Sequence, residues 1–406
     1  MNKCAALALS VCLGVPAVQA ADSPKWLTDA RARESRLIAP RQFQSRDSWF
    51  RAKVPAKVVG VIERVQDSYS IELDHGSGAS IYCEVVPHGI DMADMVRVSA
   101  ESTLKRAAQL QGKVEERQVQ VLDAGVFGNI PYLSISWMYT VHTDNGLRVG
   151  AFKQISMNKG NVGIYCAHVD LGYIKTFEAV TRALAMTLET TDGLRAPYYQ
   201  EIATVSMGAT KSGVMITTLE RDADGDTVAT QKMSMLLPAA ANNVISQDSV
   251  SKEWIDPDAG MINALHIVGQ NGELTTDLKL NPRDGQWIVE GQLQGKAVSA
   301  KLDQGSNPGT WVAQALALRK LLATPAAVGG EHSIPMWASA NPGKLTVGKT
   351  KVLARIDGTH YHALSKIGTL SADVTLDSTS GMPSAAEIRM GPQKMKLERV
   401  YVSGAF

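Results

Sequence analysis

Two cysteines set in matching strand-like segments constrain the fold of this chain more than any other feature. Ala79-Ser80-Ile81-Tyr82-Cys83 and Val162-Gly163-Ile164-Tyr165-Cys166 both read as β-strands. Alternation puts Ile81, Cys83 and Val85 on one face of the first, and Val162, Ile164 and Cys166 on one face of the second. Both thiols therefore point toward an apolar face, as a staple between two strands requires. Closing a loop of this span stabilises by about 4–5 kcal/mol in the chain-entropy account, less any strain. The alternative is two buried free thiols. A catalytic cysteine would need an electropositive setting or a CxxC spacing, and neither segment supplies one.

The N-terminus favours the disulfide. Lys3 is followed by the apolar run Ala5 to Val15, a break at Pro16, and the small-residue site Ala17-Val18-Gln19-Ala20. This is the pattern of a secretory signal peptide cleaved after Ala20, which places the mature chain in the periplasm or outside the cell. A buried N-terminal helix fits the run less well, and lipoprotein processing at Cys12 is disfavoured by the large Val11. Cys4 and Cys12 leave with the leader, so Cys83 and Cys166 remain alone in an oxidising compartment. Lys3 leaves too, and 40 of the 41 basic residues then face 40 acidic ones. A neutral chain argues against nucleic acid as a partner, since phosphate binding needs a basic surface. No membrane span is expected after residue 20. The longest apolar candidate, Val312 to Val328, is interrupted by Arg319 and Lys320.

Five segments follow. Residues 1–20 are the signal peptide and 21–57 a basic N-terminal arm. Residues 58–190 form an α+β domain, 191–205 a linker, and 206–406 a β-rich domain. The arm carries Arg31, Arg33, Arg36, Arg41, Arg46, Arg51, Lys53 and Lys57. Leu37, Ile38, Phe43, Trp49 and Phe50 could tack it onto the first domain. Its cations suit anionic lipid headgroups or a protein partner, or form a solvated face partly balanced by Asp29, Glu34 and Asp47.

In the first domain, strands are predicted at 58–65, 69–73, 79–86 and 114–122, with a hairpin of 132–142 and 147–157 turning at Thr143-Asp144-Asn145-Gly146. Helices are predicted over 91–111 and 173–189, the second from Phe177, Val180, Leu184 and Leu188. The predicted fold is an antiparallel sheet with two helices. In the second domain, hairpin signals recur and only Trp311 to Ala323 reads as helix. A curved antiparallel sheet or part-open barrel around that one helix is the economical reading.

The order of strands, helix, meander and closing helix over residues 58–190 resembles the Mog1/PsbP-like domains. The loop Gly125-Val126-Phe127-Gly128-Asn129-Ile130-Pro131 and the Phe177 helix carry the likeness. Such domains act mostly as binding or assembly modules, so the resemblance implies no active site. The last 60 or so residues, with Leu376-Asp377-Ser378-Thr379-Ser380-Gly381-Met382-Pro383 and the strand ending Leu397-Glu398-Arg399-Val400, resemble periplasmic lipoprotein-carrier-like β domains. That likeness implies a sheet able to shelter an acyl chain or an extended hydrophobic segment.

Chemical motifs are sparse. Asp222-Ala223-Asp224-Gly225-Asp226 has metal-like spacing, but Gly225 is fourth and Met233 twelfth where a calcium loop needs Gly sixth and Glu twelfth. It reads better as a hairpin turn. His360 and His362 share one face of a predicted strand, and His332 could complete a zinc or copper site. The alternative is an exposed edge-strand pair. His75-Gly76-Ser77-Gly78 reads as a turn rather than a nucleophile elbow, and Asp256 and Asp258 around Pro257 as a surface turn. No catalytic residue and no cofactor are expected. The sequence points to a non-enzymatic binding or assembly protein of the cell envelope, for a protein partner or a lipid-like hydrophobic ligand. The alternative is a metal-dependent or hydrolytic envelope enzyme using the C-terminal domain.

Overall fold

The computed structural model of the protein describes residues 25–76, 79–194, 197–240, 243–255, 262–271, 274–303, 308–390 and 393–404. The leader, Ser77-Gly78 of the glycine turn, and Asp256 and Asp258 lie outside these residues. The chain divides into two compact units, 1–196 with 236–245, and 197–235 with 246–406.

The first unit opens with α1 (Lys25–Arg31), β1 (Arg41–Gln44), β2 (Phe50–Val54), β3 (Lys57–Val59), β4 (Arg64–Val65), β5 (Ser68–Asp74) and β6 (Ile81–Val86). There follow α2 (Asp94–Gln109), β7 (Lys113–Phe127), β8 (Ile130–Thr143), β9 (Gly146–Lys159), β10 (Val162–His168), α3 (Ile174–Thr187) and β11 (Glu189–Thr190). The main sheet runs β3-β5-β6-β10-β9-β8-β7, with β4 on β5, and all its pairs are antiparallel. Strand alternation separates its faces. Trp137 and Phe152, in register, face α2, where Trp137 Nε1 donates to Ser99 Oγ at 3.0 Å and Gln154 Nε2 donates to the Met95 carbonyl at 2.7 Å. Ile155, Met157, Ile164, Cys83 and Cys166 face the other way and pack with Phe177, Val180 and Leu184 of α3. The two helices thus cover opposite faces.

The segment read as an arm is more structured than its composition suggests. Its β2 alternates buried Phe50, Ala52 and Val54 with exposed Arg51 and Lys53, and the three apolar residues enter the α3-side core. Together β1, β2 and β11 form a separate three-stranded sheet. These strands are only two to five residues long and are crowded with arginines that stay exposed, which masks the alternation in the sequence.

Among the described residues the second unit is built on one sheet with one helix, and strand residues 236–240 and 243–245 of that sheet are grouped with the first unit. Its strands are β12 (Tyr199–Met207), β13 (Thr210–Arg221), β14 (Thr227–Ala240), β15 (Asn243–Ile255), β16 (Ile262–Asn271), β17 (Leu274–Arg283), β18 (Gln286–Leu293) and β19 (Lys296–Lys301). After α4 (Trp311–Leu322) come β20 (Glu331–Trp337), β21 (Leu345–Arg355), β22 (His360–Ile367), β23 (Leu370–Asp377), β24 (Pro383–Met390) and β25 (Gln393–Gly404). The order is β19-β18-β17-β16-β15-β14-β13-β12-β25-β24-β23-β22-β21-β20, fourteen strands with no closing pair. Part of the segment read as a linker is therefore β12, which joins β13 to β25 through buried Tyr199, Ile202, Ala203 and Val205. Buried Glu201 and Thr204 break its apolar pattern and disguise it.

The sheet curls around α4. Val312 of the helix packs with Tyr199, Leu219, Ala229 and Ile255 on β12 to β15. Leu318 and Leu322 pack with Val352, Tyr361, Ala363, Val374, Leu376 and Ala386 on β21 to β24. Laid flat, the nine strands from β15 to β21 span about 38 Å. A helix of 12 residues is about 18 Å long, so only a wrapped sheet lets all of them reach it. The sheet's two ends also meet. Leu265, Leu278 and Val289 of β16 to β18 share an apolar cluster with Trp337 and Leu345 of β20 and β21. Among the described residues the seam is side-chain packing, without a hydrogen-bonded ladder.

Candidate functional site

Each unit carries a buried polar group at the point where a helix meets its sheet. In the first, the carboxylate of Glu34 accepts the α3 amides of Lys175 (3.0 Å) and Thr176 (2.8 Å) and the Thr176 hydroxyl (2.6 Å). Burial opposes this charge, but those donors hold the carboxyl below its ordinary range. A carboxylate at a helix N-terminus also satisfies orphan donors and the helix dipole. The next residue, Ser35, places its Oγ 3.0 Å from His75 Nδ1, and His75 Nε2 lies 3.0 Å from His168 Nε2. Tyr173 packs edge-on against both rings. Its amide donates to the Arg33 carbonyl at 2.6 Å, and Gly172 before it has φ +81° and sits so close to the Ala30 carbonyl that a Cβ would clash.

Lys153 stands directly opposite His168 in the β9–β10 register and donates to the Asp170 carbonyl. Burial lowers the Lys153 pKa to about 8, against the attraction of Asp170 and Glu34. Burial, then the Lys153 and His75 charges, push His168 down to about 3. His75 is lowered by burial as well. Both imidazoles are neutral at pH 7, so one Nε2 donates to the other. The chain Ser35–His75–His168 could in principle relay a proton. Five described amides around it are already committed: Ser35 to Thr176 Oγ1, Gly76 to Asp74, Ala79 to Asp170, and Lys175 and Thr176 to Glu34. Acyl transfer needs donors aimed at a developing oxyanion, and these are spent on the fold.

In the second unit, Arg399 of β25 donates to Asp377 Oδ2 at 2.5 Å, with Glu201 Oε2 of β12 at 3.7 Å. The Tyr199 hydroxyl donates to the same Glu201 oxygen at 2.9 Å. Burial raises Glu201, while Asp377 stays below its usual range because Thr379 and Arg399 outweigh its burial. Burial raises the Tyr199 phenol strongly, and Glu201 adds to it. Asp377 also accepts the amide and hydroxyl of Thr379, which fixes the 377–382 turn. Gly381 in that turn has φ +74° and abuts the Ala315 carbonyl of α4 too closely for any Cβ. The charged group thereby presses the turn onto the helix. At the helix start, Thr310 Oγ1 caps the Ala313 amide at 2.9 Å. The buried Glu253 carboxyl of β15 takes the Trp311 amide, and burial raises its pKa to about 8.

The cysteines and histidines named from the sequence fare differently. Cys83 and Cys166 are in register on β6 and β10, Cα atoms 4.1 Å apart, and form a disulfide in the α3-side core. His332, His360 and His362, weighed from the sequence as a metal site against an edge-strand pair, are spread over β20 and β22 with β21 between them. His332 pairs with Thr350 on β21, and Thr350 with Ser365 on β22, three residues from His362. That is about 10 Å across the strands and about 10 Å along them, whereas metal–nitrogen bonds are about 2 Å. His360 is instead 3.0 Å from Asp357, and His362 3.6 Å from Asp373. Among the described residues no three His, Cys, Asp or Glu side chains are grouped to hold a metal ion. At Asp222–Asp226 the Asp222 carboxylate accepts the amides of Asp224 (3.1 Å) and Asp226 (2.9 Å), closing the turn between β13 and β14.

Sequence reasoning missed the Ser35–His75–His168 chain, the Arg399 group and Glu253. One signal was present: Glu201 shares its strand row with Ala203 and Val205, and Arg399 follows Met395 and Leu397 in its own. Among the described residues no helix is long and apolar enough to cross a membrane. No family model and no curated protein matches the chain. Among solved structures it is similar to a beta-barrel-like protein of a domain of unknown function, DUF1849, from Brucella abortus. The TM-score is 0.37 at 12% identity, covering 50% of this chain and 96% of that one.

Proposed function

We propose that this protein is a non-enzymatic binding protein of the cell envelope, and that its C-terminal sheet receives a hydrophobic ligand or an apolar segment of a partner. The observation that carries this reading is the fourteen-stranded sheet wrapped around α4, its ends joined among the described residues by side chains and not by a strand ladder. Parting such a seam sacrifices apolar contacts but breaks no backbone ladder. A ligand that buries apolar area regains about 25 cal/mol per Å². The likeness of the last 60 residues to lipoprotein-carrier-like domains points the same way, and that of residues 58–190 to Mog1/PsbP-like domains suits an assembly module. The signal-peptide pattern and the Cys83–Cys166 disulfide support an oxidising compartment. Native mass spectrometry of protein purified from its host is the test. A co-purifying lipid or hydrophobic adduct is expected; a bare mass together with no binding of hydrophobic dyes overturns the proposal.

A further inference from the structure

Residues 25–57 carry nine basic and three acidic side chains, a net of +6 in a chain whose formal charge is +1. Two of the three acids are turned to structural work. Glu34 caps α3, and Asp47 accepts the Ser45 hydroxyl (2.6 Å), the Trp49 amide (3.1 Å) and the Tyr69 hydroxyl (2.6 Å). Among the cations, Arg46 pairs with Glu63 and Arg51 with Glu189. Arg33, Arg36, Arg41 and Lys53 are exposed and have no ion-pair partner among the described residues. Arg33, Arg36 and Arg41 are spaced along a short non-helical stretch that ends in β1. Lys53, opposite Gln42 on the β1–β2 ladder, points to the other face from Arg41, which stands opposite Val54. Between Arg36 and Arg41 runs Leu37-Ile38-Ala39-Pro40, outside any helix or strand, with Leu37 39% and Ile38 42% exposed.

We infer that the Arg33–Arg41 segment is a docking surface for an anionic lipid bilayer. Cations alone would serve any acidic partner. The observation that selects a bilayer is the exposed Leu-Ile pair bracketed by unpaired arginines: the guanidiniums meet headgroup phosphates while the aliphatic tips enter the acyl boundary. Proline at position 40 keeps the stretch from folding back into a helix, where the pair could be buried. This surface is independent of the ligand proposed for the C-terminal sheet, and either can fail without the other.

The test is co-sedimentation of the full chain with phosphatidylcholine vesicles, with and without phosphatidylglycerol. Binding is expected only to the anionic vesicles, weakening with salt. Each arginine removed, as in Arg36→Gln or Arg41→Gln, lowers the partition coefficient about fivefold. Leu37→Ser with Ile38→Ser weakens binding at constant salt and steepens its salt dependence. These side chains are exposed, and unchanged thermal unfolding verifies each variant's fold. No sedimentation with anionic vesicles, equal binding to neutral ones, or full binding by Arg36→Gln/Arg41→Gln overturns the inference. So does arginine-dependent binding to polyglutamate without vesicle binding, which would assign the surface to an acidic protein.

Discussion

His75 and His168 meet Nε2 to Nε2 at 3.0 Å, with buried Lys153 in register opposite His168. An added proton meets burial and the lysine charge, which together outweigh the attraction of Asp74 and Asp170 for His75. The unfolded chain binds that proton near the ordinary histidine value of 6.5, whereas folded His168 resists it down to about 3. Between these values the unfolded state binds more protons, so stability of the first unit falls as pH drops. The slope is roughly 1.4 kcal/mol per pH unit below 6.5. Calorimetry from neutral to acid pH checks this, and His168→Phe, beside Phe177, flattens the dependence. A first-unit transition that is flat between pH 6.5 and 4 in the native protein contradicts it.

Glu253 predicts the opposite slope in the second unit. Its unfolded pKa is near the ordinary 4.5 and its folded pKa about 8, so the folded state holds the extra proton between these values. Stability is highest below 4.5 and declines as pH rises toward 8. Glu253→Gln keeps the shape and an acceptor for the Trp311 amide while removing the charge. It raises stability at pH 7 by about 2 kcal/mol or more and abolishes the decline. Equal midpoints for the variant and the native protein at pH 7 count against this.

The Cys83–Cys166 bond joins strands 83 residues apart within the core shared with α3. Replacing both cysteines by alanine costs the first unit about 2–5 kcal/mol. Because the bond is wholly buried, mild reductant leaves the folded protein oxidised until the first unit opens. Thiol labelling against denaturant reads both effects. Rapid labelling of the native fold excludes the burial argument, and an unchanged first-unit midpoint in the double variant excludes the stabilisation.

The elements legible in the sequence were those whose pattern is local. Helices α2, α3 and α4 follow from apolar spacing, and the β8–β9 hairpin from its Asp144-Asn145-Gly146 turn. The cysteine pair was legible because each thiol shares a face with apolar neighbours. β2 and β12 were hidden, since exposed arginines in one and an inward Glu201 in the other blur the alternation. The polar groups were hidden for a different reason. Ser35, His75 and His168 come from three separated segments, and Glu201 reaches Arg399 only because the sheet order sets β12 beside β25, with Asp377 two strands away on β23. The three histidines of the second unit show the same limit in reverse: two positions on one strand face say nothing about how far away β20 lies.

Arg399 carries the largest effect expected of a single substitution. Its guanidinium lies 2.5 Å from Asp377 and 3.7 Å from Glu201, and the three side chains are only 10%, 12% and 3% exposed. Arg399→Met fits the volume but strands two carboxyls away from water, and breaking a buried pair of this kind costs about 3–5 kcal/mol. The sign of the pH dependence separates this from simple loss of packing. In the native protein Asp377 sits below its ordinary pKa, so its contribution is present above pH 3.8 and is lost as pH falls through the lower folded value. Without Arg399, burial dominates and raises Asp377, as it already raises Glu201. The variant therefore gains stability on acidification where the native pair loses it. Hydrogen exchange of the α4 amides reports the same event locally, because Asp377 fixes the turn in which Gly381 abuts the Ala315 carbonyl. Faster exchange across α4 in Arg399→Met, relieved at low pH, is the expected result. A neutral-pH loss under about 1 kcal/mol with native α4 protection would show that the charged group does not hold the helix.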